Sequence, residues 1–311
     1  MKYIYSAMGW VLEQLYNLLG SIWSPLGNYA VAIIVFTLLV KLVFLPVNIN
    51  QQKATAKQTA VRPKLDALKE RCGDDKQKYN MEMQELYRRE GVKLMGGCLP
   101  QLITLPFLWG VWMAIRSPLS YILHINSDLI SKAMESVATT LGKTVSQITE
   151  LDVIHNVSGL TDPEYAPIVN GVKGMDFNLF GIDLTQTPKF TLRFSELTGA
   201  DLLLWLIPLA SFASAFLSSW ITTRMQKKTN PETAANMGCM MFLMPFMSLY
   251  ISFIVPGAVG FYWMCSNLLG MLIQALLNKH MSPYKIIARG EVKTVNLRRE
   301  REKKIIESTE A

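Results

Sequence analysis

Long apolar runs, separated by short and strongly charged segments, set the pattern of this chain. Runs 28–47, 97–116, 201–223 and 258–278 each reach the roughly 17–25 residues that cross a hydrocarbon core of about 30 Å. A fifth run, 239–255, lies at the short end of that range and crosses with little tilt. Lipid offers the backbone no hydrogen-bond partner, so such runs must be helices. The pattern therefore predicts an all-α polytopic membrane protein with five transmembrane helices.

The remaining segments carry helical signals of another kind. In residues 1–27 the apolar positions Ile4, Met8, Val11, Leu12, Leu15, Leu18, Leu19 and Ile22 recur at helical spacing, while Glu13, Gln14 and Asn17 fall elsewhere. An interfacial amphipathic helix fits that spacing better than a sixth span. Residues 48–96 read as an antiparallel helical hairpin. Val61, Leu65 and Leu68 line one arm and Tyr79, Met83, Leu86 and Tyr87 the other; Gly73 suits the end of the first arm, Asp74 the cap of the second, and Pro63 predicts a kink. Within the 117–200 loop, SDLISKAMESVATTL is amphipathic enough to predict a short helix.

Charge orients the runs. Residues 48–96 hold 11 Lys/Arg, the short loop 224–238 holds three and the tail 279–311 holds nine, against five in the whole of 117–200. The positive-inside rule then places the N-terminus and the 117–200 loop outside, and the hairpin and the C-terminal tail in the cytoplasm. The net charge of +7 gathers on that one face, where it meets anionic headgroups, RNA or an acidic protein. With half its residues hydrophobic and 18% charged, the chain is no ordinary soluble domain. Its four cysteines form no CxxC pair, so neither disulfide nor zinc is expected. The first twenty-odd residues make a poor signal peptide.

One full charge interrupts the first run: Lys41, in FTLLVKLVFLP. A lysine at mid-bilayer costs about 2.5–3.5 kcal/mol on insertion scales. Lys41 lies five residues, about 7.5 Å of helix, before Pro46, so its stem could snorkel to the interface; a functional intramembrane cation is the rival reading. Other polar groups recur in the runs: Thr37 on the same helix face, Gln101 and Thr104 in the second, Ser211, Ser214, Ser218, Ser219, Thr222 and Thr223 in the third, and Ser266, Asn267 and Gln274 in the fifth. Together they could line a wet cavity. The rows Ala210/Ser214/Ser218 and Ser211/Ala215/Ser219 equally suit close helix packing. Methionines 237, 240, 241, 244 and 247 give the fourth run either a soft apolar surface or a plain lipid contact.

In order along the chain, FTLLVKLVFLP, QQK followed by RPKLDALKERCGDDKQK, GGCLPQLITLPF and MFLMPFMSLYISFIVPGAVGFYWMCSNLLGMLIQ closely resemble the YidC family of membrane protein insertases. The resemblance covers nearly all of the chain apart from much of the 117–200 loop. It implies a five-helix insertase core around a hydrophilic groove, open to the cytoplasm and the lipid and closed on the outside, with one essential positive charge in the first core span. Lys41 matches that charge, and Thr37, Gln101, Thr104, Ser266 and Asn267 match polar positions of the groove. Most bacterial members carry arginine there; lysine keeps the charge but loses the bidentate fork. The resemblance further implies a plasma-membrane protein that inserts nascent membrane proteins without being an enzyme. Its implied partners are the Sec translocon, the ribosome through the tail and the bilayer, with no DNA, metal or cofactor. Among other function classes, a small transporter or channel is the alternative, although no second half repeats the first. A membrane protease lacks its motifs, since there is neither HExxH nor GxSxG. A passive assembly scaffold should survive loss of Lys41, which an insertase that uses the cation should not.

Overall fold

The computed structural model describes residues 2–20, 28–73, 75–92, 109–191, 198–229 and 243–310, which are overwhelmingly helical. In chain order the elements are α1 (Lys2–Gly20), α2 (Asn28–Val43), α3 (Leu45–Cys72), α4 (Lys76–Arg89), α5 (109–116), α6 (Pro118–Tyr121), α7 (Ser127–Leu141), α8 (Glu150–His155) and α9 (Ala166–Lys173). They continue as β1 (Asn178–Leu179), β2 (Ile182–Asp183), α10 (Gly199–Leu204), α11 (Leu206–Thr229), α12 (Leu243–Ser252), α13 (Gly257–Met281) and α14 (Pro283–Glu310). Among the described residues two helical stretches, Gly199–Met225 and Gly257–Lys303, are long and apolar enough to cross a membrane, and Tyr29–Val43 with Leu45–Cys72 makes a third if that broken pair is one span. The expected second and fourth spans are described only from residue 109 and from residue 243.

The chain forms two compact units. The first comprises Met1–Val43, Ile103–Thr222 and Gly238–Gly270. Its core gathers Tyr29, Ile33 and Phe36 of α2, Val111 and Ile115 of α5, Leu151 and Ile154 of α8, and Val259 and Tyr262 of α13. The apolar stripe expected of α1 is real, and part of it packs on protein: Leu12 and Tyr16 are buried, whereas Trp10 and Leu18 stay exposed. Contact there is tight, because a Cβ at Gly9 would come within 2.3 Å of the Tyr121 ring. Among the described residues of 117–200, short helices and one two-stranded hairpin form a folded cap. As the sequence predicts, 127–141 is a helix, with the Asn126 side chain accepting from the Asp128 amide at its start and Gly142, at φ 62°, closing it. The hairpin turns on Phe180 and Gly181, both at positive φ, as a two-residue type I′ turn requires.

This cap also terminates a span. The first backbone amides of α13 have no partners inside the helix. Gly257 N–H donates to the Gln186 carbonyl and Ala258 N–H to the Leu184 carbonyl, both at 2.8 Å. A Cβ at Gly257 would stand 3.3 Å from that Leu184 oxygen, so glycine allows the close approach.

The second unit comprises Phe44–Leu102, Thr223–Met237 and Met271–Ala311. The helix expected over 28–47 is interrupted at Phe44: Pro46 has no N–H, and its ring conflicts with the carbonyl four residues back, so α2 stops at Val43 and α3 restarts with Pro46 in its first turn. Helices α3 and α4 pack against each other, with Val61, Leu65, Met83, Leu86, Tyr87 and Val92 together. Lys64–Glu90 and Arg71–Glu82 ion pairs join the two helices. Helix α3 continues through Pro63. One detail differs from expectation: the second arm is capped by Asp75, whose side chain accepts from Lys78 N–H at 2.9 Å, because the helix begins one residue later than Asp74 would require. The tail is a helix as well, packed beside α3.

Candidate functional site

Lys41 occupies the last turn of α2, a helix of otherwise apolar and small residues apart from Asn28 and Thr37. Apolar neighbours cannot satisfy an ammonium, so a site of this kind normally supplies a carboxylate or a carbonyl. Among the described residues Lys41 has neither a salt bridge nor a hydrogen bond. Its Nζ lies beside Gly270 of α13, where an added Cβ would stand 3.6 Å from the nitrogen. Glycine leaves the space around the charge open.

One turn earlier, Thr37 is buried, and its hydroxyl donates to the Ile33 carbonyl at 2.6 Å. That bond keeps a polar group stable inside an apolar core, and it commits the only donor of the side chain. The hydroxyl can still accept.

On α13, Ser266 and Asn267 precede Gly270 by four and three residues, so they share its helix face. The polar side of α13 thus continues from the Lys41 ammonium over about 4.5–6 Å of helix axis. Asn267 donates to the Ser214 hydroxyl of α11 at 3.3 Å, and Ser266 pairs with the Tyr262 hydroxyl. Behind them Ser252 of α12 donates to the Ser211 hydroxyl at 3.3 Å, Ser211 and Ser248 lie 3.2 Å apart, and Ser214 donates to the Ser211 carbonyl at 2.9 Å. Of the two readings the sequence leaves for these serines, close helix packing therefore holds for Ser211 and Ser214, both buried and bonded between helices.

Ser218 and Ser219 do face a cavity. It has a volume of about 670 Å³, and its lining includes Trp109 and Trp112 of α5, Ser218 and Ser219 of α11, Met244 and Met247 of α12, and Ser266 and Asn267 of α13. Aromatic and thioether walls with a few hydroxyls and one amide suit an apolar segment that carries a short polar stretch. Lys41 is not part of this lining.

The structure thus brings Lys41 to the same face of α13 as Ser266 and Asn267, while Thr37 lies one turn away and turns its donor inward. Gln101 and Thr104 fall outside the described residues. Sequence reasoning missed Trp109, Trp112, Tyr262 and Ser248 as wall residues; the closely spaced tryptophans, with ring centroids 5.1 Å apart, were the available signal. Gln274 serves elsewhere. In the second unit it donates at 3.5 Å to the buried Gln52, whose own amide donates to Asn278 at 2.8 Å, and these three amides join α3 to α13.

Residues 21–284 match the family model described as 60Kd inner membrane protein. Similar relatives include proteins named membrane protein insertase YidC from Pseudoalteromonas atlantica (41% identical over 114 residues), Stutzerimonas stutzeri (40% over 114) and Ectopseudomonas mendocina (44% over 110). These alignments cover 35–36% of this chain and 19–21% of the relatives. The chain spans about a fifth of the length of the curated relatives it matches.

Proposed function

This chain belongs to the 60Kd inner membrane protein family, and from that premise we propose that it is a membrane protein insertase whose client-handling cation is Lys41. It is a multi-pass protein of the plasma membrane. In this reading five spans surround a groove, the N-terminus and the 117–200 cap lie outside, and the hairpin and tail lie in the cytoplasm. The charge asymmetry between those segments supports the orientation.

The observation that carries the mechanism is the ammonium of Lys41, held in an apolar helix beside Gly270 with no acceptor among the described residues. A charge left unpaired at such a place remains available to an incoming anion. An apolar client segment lies against the wall of Trp109, Trp112, Met244 and Met247, while its short acidic flank enters beside Lys41, Ser266 and Asn267. Water and hydroxyls there lower the desolvation cost that otherwise blocks passage of the flank. The membrane potential, negative inside, then favours its outward movement by about 2.3 kcal/mol per charge per 100 mV. Partition of the apolar segment into lipid completes release, and no covalent bond changes, so the protein is not an enzyme. The Sec translocon and, through the basic tail, the ribosome are the partners that fit this role.

The test is insertion of a single-span client with an acidic N-terminal flank into liposomes holding the purified protein, read by protease protection of the flank. Wild type and Lys41→Arg insert, and Lys41→Ala falls by an order of magnitude or more. Equal insertion by Lys41→Ala would remove the cation from the mechanism. A Lys41-dependent ion flux without insertion would turn the reading to a channel.

A further inference from the structure

A second cavity, of about 440 Å³, lies in the first unit where the 117–200 cap meets the ends of α5, α12 and α13. Its two sides differ chemically. Arg116 at the end of α5 and Lys143, Ser146, Gln147, Thr149 and Thr187 of the cap supply cations and hydrogen-bonding groups. Trp112, Ile254, Val255, Pro256 and Val259 supply an apolar floor at the ends of the spans.

Arg116 is the centre of the polar side. Its guanidinium carbon lies 4.6 Å from the centroid of the Trp112 ring, so one face is stacked and the N–H edges remain free to donate. Among the described residues no hydrogen-bond acceptor meets those edges, and none meets the Lys143 ammonium. The lining contains two cations and no carboxylate. Two acids, Glu150 and Asp152, lie behind it and attract Arg116. Both are engaged within the cap: Glu150 accepts from the Ser120 amide at 2.9 Å and hydroxyl at 2.5 Å, and Asp152 accepts from the Thr149 amide and hydroxyl at 2.8 and 2.7 Å. Burial pushes the Glu150 carboxyl upward against those Ser120 bonds.

We propose that this cavity is a binding site for the phosphate headgroup of an anionic phospholipid, with Arg116 and Lys143 on the phosphate oxygens and the Trp112, Ile254 and Val259 floor against the glycerol and upper acyl chains. A free anion would leave that floor against water, and an uncharged lipid would leave two cations without an acceptor. An amphiphile with an anionic end satisfies both sides. Arg116 suits a phosphate because its planar fork offers two parallel donors, and Lys143 adds a point charge from the rim. The assignment rests on the reading above only in placing these span ends at the headgroup level of the outer leaflet. Bound there, a lipid would tie the cap to the spans and keep the shared wall residue Trp112, which also lines the larger cavity, in place.

The experiment uses the full chain in nanodiscs containing phosphatidylglycerol with a photoactivatable group near the glycerol, and maps the cross-linked peptides by mass spectrometry. Wild type is expected to label residues 143–149 and 254–259. Lys143→Gln, an exposed change that cannot unfold the protein, should lower that labelling several-fold, and Arg116→Gln with Lys143→Gln about tenfold, while labelling elsewhere on the spans is unchanged. Photoactivatable diacylglycerol, which lacks the phosphate, should label these residues no more than background. Wild-type labelling that persists in both variants overturns the proposal. So does removal of the signal by millimolar inorganic phosphate, which would make the ligand a free anion, or by a soluble acidic peptide, which would make it a protein segment. Client insertion is scored separately, so failure of the lipid site leaves the Lys41 mechanism standing or falling on its own assay.

Discussion

Two ionisable side chains are set among apolar neighbours in the first unit, and the protein treats them in opposite ways. Glu150 is buried in the cap with its oxygens met by the Ser120 amide and hydroxyl, and Arg116 nearby. Lys41 has nothing comparable among the described residues; beside it is the bare Cα of Gly270. A satisfied buried charge holds a fold in one arrangement, whereas an unsatisfied one is a cost that structure alone gives no reason to keep. In the proposed reading, that difference is what separates a structural acid from a client-handling cation.

Breaking the comparison at Lys41 should give the largest effect, and in an unusual combination. Lys41→Met removes the charge and keeps the length, so client insertion should fall by an order of magnitude or more. Thermal stability in detergent should stay level or rise, since a lysine in an apolar span costs up to about 2.5–3.5 kcal/mol on insertion scales. Loss of both insertion and stability would make Lys41 a structural residue instead.

Glu150→Ala should show the reverse combination. It leaves the Ser120 amide without its partner, at a cost of about 1–3 kcal/mol, and equilibrium unfolding of the cap is the measurement. Insertion should fall only as far as the folded fraction does.

A third pair sharpens the contrast at lower amplitude. His155 and Asp183 lie 3.0 Å apart. The hydrogen bond to Asp183 raises the His155 value, outweighing burial; for Asp183, burial, which alone would raise it, is outweighed by bonds from His155 and Thr185, and its value falls to about 2. For the histidine, folded above unfolded means stability present below about 6.5 and lost as pH rises through the folded value. For the aspartate, folded below unfolded means stability present above about 3.9 and lost as pH falls toward 2. The pair therefore holds best between about pH 4 and 6.5. Its neighbours Leu184 and Gln186 cap α13, so the hydrogen-exchange protection factors of Gly257 and Ala258, corrected for the intrinsic rate, should be highest in that window and lose this pH dependence in Asp183→Asn. The smallest effect belongs to the hairpin: Arg71→Ala removes an exposed ion pair with Glu82 and should cost below about 1 kcal/mol in unfolding by denaturant.

Much of this was legible in the chain. The amphipathic stretch SDLISKAMESVATTL coincides with α7, whose ends the structure fixes with the Asn126 cap and Gly142. Periodicity marked both hairpin arms but put the second cap on Asp74, since two adjacent aspartates are equivalent in sequence and only the reach of the Asp75 carboxylate to Lys78 N–H separates them. The end of α2 was placed too late because apolar character continues past Val43 while the backbone, constrained by Pro46, does not. At the site, Lys41 stood out as a charge in an apolar run, and Ser266 and Asn267 as polar residues on a span. The division of the serines did not show, because the spacing that buries Ser211 and Ser214 between helices and opens Ser218 and Ser219 to the cavity depends on the register of α11 against α12. Trp109 and Trp112 offer only their three-residue spacing as a signal, because aromatic residues in an apolar run otherwise carry no contrast.

The central claim, that Lys41 is kept unpaired to receive the client's charge, is tested most directly by capturing that contact. A client with an acidic flank is stalled during insertion and treated with a carbodiimide, which joins an amine to a carboxylate without a spacer, and the linked peptides are sequenced by mass spectrometry. The account predicts an amide bond between Lys41 and a flank Asp or Glu, absent when the flank carries Asn and Gln. A client that inserts at the full rate while its flank carboxylates never link to Lys41 would contradict it.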